Sequence, residues 1–121
     1  MPKAAEEHKK DAVYKQAKRK GYRARSAFKL LDLQKRFTIF KRAFYILDLG
    51  STPGSWLQVA KKFAEENLLK YNDKYYHRDH YKIMGIDIKH ITPIENINTV
   101  EWILLHLSFK LKLKNTSKEK N

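Results

Sequence analysis

Tyr45-Ile46-Leu47-Asp48-Leu49-Gly50-Ser51-Thr52-Pro53-Gly54-Ser55-Trp56-Leu57-Gln58-Val59-Ala60 begins in an apolar run and breaks into a loop of small residues. The apolar run extends from Ala43 to Leu49, too short for a buried helix and apolar on both alternating faces, so it predicts a fully buried parallel strand. Gly50 and Gly54 then bend the backbone, since glycine takes positive φ without a steric penalty and lets a ligand approach the main chain. Ser55 is placed to cap a helix that continues through Trp56, Val59, Ala60 and Phe63 at helical spacing. Strand, glycine turn and helix together put a binding site at the C-terminal end of the strand.

Spacing separates the kinds of loop that could stand there. A phosphate-cradling P-loop requires Gly-Lys-Ser/Thr after its second glycine, but Gly54 is followed by Ser55 and Trp56. The dinucleotide fingerprint separates two glycines by one residue, whereas three residues including Pro53 separate Gly50 from Gly54. A nucleophile elbow requires serine where Thr52 stands. A wide glycine loop with an acid, Asp48, at the strand end suits a nucleoside without polyphosphate, and S-adenosylmethionine is such a ligand.

At 121 residues the chain forms one domain at most, small for an open α/β sheet covered on both faces. It has no cysteine, which excludes disulfides and thiolate metal sites and fits a reducing, cytoplasmic setting. No apolar window is long enough for a membrane span, and a soluble monomer is expected. Of the formal charge of +13, residues 1 to 44 contribute +10, with fourteen Lys/Arg against four Asp/Glu. That asymmetry points to a polyanionic partner.

Residues 1–20 read as a basic N-terminal arm, helical from Asp11 onward, ending at Gly21 and suited to RNA phosphates. Ala27, Leu30, Leu31, Gln34 and Phe37 mark one face of a second helix, with Ser26 as its cap and Lys29 off the stripe. Residues 71 to 81 form a polar, aromatic loop, where the spacing of His77, Asp79 and His80 suggests a metal but offers no further ligands. No metal is expected. Lys82 to Ile88 reads as a buried strand ending at Asp87, an acid suited to ribose hydroxyls or, alternatively, to capping a turn with Lys89 or Thr92. Thr99 to Leu107 reads as a third strand, and residues 108–121 as a basic tail, disordered in character after a brief alternation.

Leu47-Asp48-Leu49-Gly50 with Pro53-Gly54-Ser55-Trp56 and Gln58-Val59 resembles the first cofactor motif of the FtsJ/RrmJ family of RNA 2′-O-methyltransferases. Gly21-Tyr22-Arg23-Ala24-Arg25-Ser26-Ala27-Phe28-Lys29-Leu30 resembles the family's N-terminal signature, and Gly85-Ile86-Asp87-Ile88 its second motif; the three lie in family order. The resemblance implies the first half of a Rossmann-like S-adenosylmethionine-dependent fold in residues 21–107, of α/β class, with three parallel strands and flanking helices. It further implies a methyltransferase acting on ribosomal or transfer RNA, with Lys29 as one of a Lys-Asp-Lys-Glu catalytic set. Asp48, Gly50, Ser51, Pro53, Gly54, Ser55, Trp56 and Asp87 would bind the cofactor, and Tyr22, Arg23 and Arg25 the RNA. Trp56 is also placed to pack in the core, and Tyr22 to pack beside the first strand. The family's Gly-Asp after the third strand is matched here by Leu105 and His106. The rest of its catalytic set has no match in these 121 residues, so this chain is expected to be inactive alone. The other reading is a basic RNA-binding module without catalysis.

Overall fold

A computed structural model of the chain describes residues 2–71, 79–102 and 109–114. Helix α1 spans Pro2–Arg19 and α2 spans Ser26–Phe37; β1 is Tyr45–Leu49, α3 is Ser55–Lys70, β2 is Lys82–Asp87 and β3 is Asn98–Glu101. The strands form one sheet in the order β1-β2-β3, both pairings parallel, with Leu47 opposite Met84 and Ile86 opposite Val100. This is the expected α/β arrangement.

Helix α1 ends as Gly21 allows. Gly21 at φ 83° and Tyr22 turn their amides back to the carbonyls of Lys18 and Ala17, at 3.0 and 2.9 Å. Two N–H groups thus satisfy carbonyls that the last helical turn leaves without partners. The predicted serine caps do not form. Neither Arg25, which precedes α2, nor Gly54, which precedes α3, makes a side-chain cap. Ser26 and Ser55 instead hydrogen-bond to each other at 2.7 Å, joining the first turns of the two helices.

Leu57, Val59, Ala60 and Ala64 of α3 are buried with Ala27 and Leu30 of α2, Ile83 of β2, Phe40 and Ile91. Phe40 stacks on Phe63 with ring centroids 5.5 Å apart. The Asn67 amide, nearly buried, donates to the carbonyls of Phe40 at 2.7 Å and Ala43 at 3.0 Å. These bonds hold a turn at the entry to the sheet, so β1 starts at Tyr45 rather than at Ala43.

The expectation of a strand buried on both faces is corrected. Tyr45, Leu47 and Leu49 are 57%, 58% and 71% exposed, and Met84 beside them on β2 is also exposed. Successive side chains of a strand point to opposite faces, and among the described residues the helix layer covers only the face carrying Ile83 and Gly85. An apolar run on both faces predicts two covering layers, and one is seen.

Two further expectations shift. The third strand closes at Glu101, and residues 103–108, with Leu105 and His106, lie outside the described residues. Residues 109–114 are helical, within the stretch read from the sequence as a basic tail of disordered character.

Gly85 sets how closely α3 lies on the sheet. A Cβ there would stand 2.6 Å from Leu57 Cδ1 and 2.8 Å from Ser51 Oγ, so this row of β2 admits no side chain. Gly85→Ala should cost about 1–3 kcal/mol by overpacking, and Leu57→Ala about 2–5 kcal/mol by leaving a cavity. Because the new methyl enters the space that Leu57 vacates, the double variant should lose less than the sum of the two, as urea denaturation of the four proteins will measure.

Candidate functional site

The glycine loop takes the conformation its composition demands. Gly50 and Gly54 have φ of 76° and 113°, and the Gly50 and Ser51 amides both reach the Ile86 carbonyl, at 2.7 and 3.3 Å, which carries the β1–β2 pairing into the loop. The loop therefore stands over the C-terminal ends of the strands. There it borders a cleft of about 390 Å³ lined by Ser26, Lys29, Asp48, Leu49, Gly50, Ser51, Thr52, Ser55 and Trp56.

Asp48, Gly50, Ser51, Ser55 and Trp56 thus line one cleft, and Lys29, from α2, stands exposed at its edge. Pro53, Gly54 and Asp87 were expected there as well but do not line it. Trp56 is half-buried and packs against the core, where it borders the cleft and an adjoining apolar pocket with Leu30, Phe40 and Ile46. Its indole N–H donates to the Ser26 carbonyl at 3.0 Å, which ties the helix bearing Lys29 to the glycine loop.

The two acids at the strand ends differ in their surroundings. Among the described residues, the buried Oδ2 of Asp48 has no hydrogen-bond partner. Its pKa is raised, first by burial and then by the negative charge of Asp87, against a lowering hydrogen bond from Ser51. The Asp87 carboxylate accepts the Lys89 amide on Oδ1 at 3.1 Å and the Thr52 amide on Oδ2 at 2.8 Å. These amides hold its pKa below the usual value, Lys89 contributing most. The turn-cap alternative for Asp87 is therefore present through Lys89, and the same carboxylate ties the glycine loop to the end of β2.

The N-terminal signature packs beside this loop. Tyr22 lies half-buried against the core with its ring edge-on to Phe28, 6.2 Å between centroids, and Arg25 is exposed. Arg23, expected on RNA phosphates, is bonded within the protein. Its Nη1 donates to the carbonyls of Pro53 at 3.0 Å and Thr92 at 2.5 Å, and its Nη2 to Pro93 at 3.0 Å. Gln58 accepts the Arg23 amide at 2.8 Å and donates to the Gly21 carbonyl at 2.9 Å. Sequence reasoning placed Gln58 in a motif without a role, and missed Ser26 as a lining residue and Asn67 as a buried anchor. No local pattern marks these residues, because their partners lie 24 to 37 positions away.

His77 lies outside the described residues, and His80 pairs with Asp79 at 2.7 Å. Among the described residues no group of three His, Cys, Asp or Glu side chains could hold a metal. No helix among them is long and apolar enough to cross a membrane.

Three parallel strands with flanking helices, a glycine loop and two acids at the strand ends define a protein of the α/β class. Residues 22–119 match the model of the FtsJ-like methyltransferase family, and the chain belongs to that family. It is 42% identical over 91 residues to the ribosomal RNA large subunit methyltransferase E of Methanocorpusculum labreanum, covering 75% of this chain and 37% of that protein. With the enzyme of the same name from Methanosarcina barkeri the identity is 37% over 93 residues, covering 77% of this chain and 30% of the relative. The chain therefore spans about a third of the length of these relatives. A crystal structure of a ribosomal RNA methyltransferase from Plasmodium falciparum superposes with a TM-score of 0.49 at 33% identity, over 65% of this chain and 37% of the other.

Replacing Asp48 tests its environment directly. Its raised pKa means that the folded state holds the proton more tightly than the unfolded one, so its contribution to stability falls as pH rises from the ordinary value of 3.8 through the folded one. Asp48→Asn should therefore melt higher than the native protein at pH 7 and level with it at about pH 2–3, where both chains are neutral at this position. Thermal unfolding of the pair across that range gives the difference, which includes the lost repulsion between Asp48 and Asp87.

Proposed function

We propose that this chain is the cofactor-binding portion of an RNA ribose 2′-O-methyltransferase acting on ribosomal RNA, with S-adenosylmethionine as methyl donor. The observation that carries this reading is the meeting, in one cleft, of the glycine loop, the unpartnered Oδ2 of Asp48 and the exposed ammonium of Lys29. A buried carboxylate oxygen without a donor fits a ligand that brings a charge-assisted hydrogen bond, as the ammonium of the cofactor's methionine part does. The residues present therefore fit the cofactor. Asp48 and the amides of the loop would hold its methionine end, Trp56 would pack on it, and Asp87 would accept the ribose hydroxyls.

The bound cofactor supplies a methyl group on sulfonium, already electrophilic, so the protein's task is alignment. Lys29, exposed at the edge of the cleft, would meet a ribose hydroxyl that enters it. To take a proton at neutral pH a lysine must be buried or set beside another cation, so its action as a base requires partners beyond the described residues. The RNA would be held by the basic first third, with Arg25 on phosphate and Lys20, which lies over the Phe28 ring at 5.5 Å, beside an aromatic face. Ribosomal RNA is favoured because the relatives above carry that substrate in their names.

Calorimetric titration with S-adenosylmethionine should show binding that Asp48→Asn weakens by about ten- to a hundredfold, the worth of one charge-assisted hydrogen bond. Tight binding of a short ribosomal RNA with no heat from the cofactor would instead leave the chain as an RNA-binding module.

A further inference from the structure

We infer that Arg23 is a positioning residue of the cofactor site, a clamp that fixes the distance between the glycine loop and the β2–β3 loop, and not a contact for RNA. Its guanidinium reaches Pro53 on one loop and Thr92 and Pro93 on the other. These loops follow the ends of β1 and β2, the strands that carry Asp48 and Asp87. Three carbonyl dipoles converge on one delocalised cation, which no neutral side chain of this length could satisfy.

The surroundings are shaped for this cation. Gly54 leaves room for it: a Cβ at Gly54 would stand 3.0 Å from Arg23 Nη1 and 3.3 Å from Ile94 Cδ1 and would crowd the guanidinium by a few tenths of an ångström, at a φ of 113° that favours glycine. Gln58, one turn into α3, fixes the Arg23 main chain, so the guanidinium is aimed from a braced backbone. Both hydrogens on Nη1 are engaged by carbonyls, which blocks the two-pronged grip on phosphate through the Nη1–Nη2 edge. Arg25, two residues on, is exposed and takes the phosphate role alone.

The inference rests on the cofactor reading above, and its test separates the two. Hydrogen exchange, cofactor binding and RNA binding are compared for the native chain, Arg23→Ala, Arg23→Lys and Arg25→Ala. In Arg23→Ala, amides at residues 51–56 and 91–94 should exchange about tenfold faster or more while those of β2 hold. Arg23→Lys should restore part of the protection, because an ammonium can reach one carbonyl but not both loops. The affinity for S-adenosylhomocysteine should fall about tenfold or more in Arg23→Ala and by less in Arg23→Lys. The salt dependence of binding to a short RNA should lose about one unit of slope in Arg25→Ala and none in Arg23→Ala.

An Arg23→Ala protein whose RNA slope drops like that of Arg25→Ala, with loop exchange unchanged, overturns the clamp. If the native chain gives no heat with S-adenosylhomocysteine, the cofactor reading fails, and loop exchange still decides whether Arg23 joins the two loops. Should Arg23→Ala not fold, the comparison of Arg23→Lys with the native chain carries the same decision.

Discussion

The approach of α3 to β2 at Gly85 sets the height of everything above the strand ends. With Leu57 seated where a side chain on Gly85 would project, the start of α3 is pressed down onto the sheet. Ser51 and Ser55, in the loop and at the helix start, are buried with it. A methyl group at this position would lift the helix and the loop together, since dense packing leaves no slack to absorb it locally. The bonds from Thr52 to Asp87 and from Ser55 to Ser26 can form only because the loop lies that low. Cleft geometry is thus decided by a glycine that does not line the cleft.

Two carboxylates of the same residue type end neighbouring strands and are tuned in opposite directions. Asp48, partly withdrawn from water with one oxygen unpartnered, resists losing its proton, whereas Asp87, met by two main-chain amides, gives its proton up readily. Asp87 already meets the Lys89 and Thr52 amides. This division of work needs no difference in residue type, only the turn of the backbone that brings amides to one acid and not to the other.

Local signals in the sequence proved faithful where the structure is made locally. The glycine loop, the helix after it, the two strands ending in acids and the left-handed end of α1 were all legible, because each depends on residues within a few positions. Ser26 and Ser55 show where this fails: each looks like the cap of its own helix, and each is instead the partner of the other across 29 positions. Arg23 is a second case, since nothing in a basic segment marks the carbonyls of Pro53, Thr92 and Pro93, 30 to 70 positions away, that its guanidinium meets. The burial of β1 was misjudged for a different reason. Apolar residues on both faces of a strand record what the strand is suited to touch, and not what touches it in these residues.

The open face of the sheet, with Tyr45, Leu47, Leu49 and Met84 in the light, has a consequence for handling the protein. Molecules carrying a charge of +13 repel one another, and at low ionic strength that repulsion keeps such apolar faces apart. Salt shrinks its range to about 10 Å at 0.1 M and about 3 Å at 1 M. The high salt customarily used to strip nucleic acid from a basic protein is therefore also the condition under which this one loses its protection against self-association, so the two aims of a purification pull against each other.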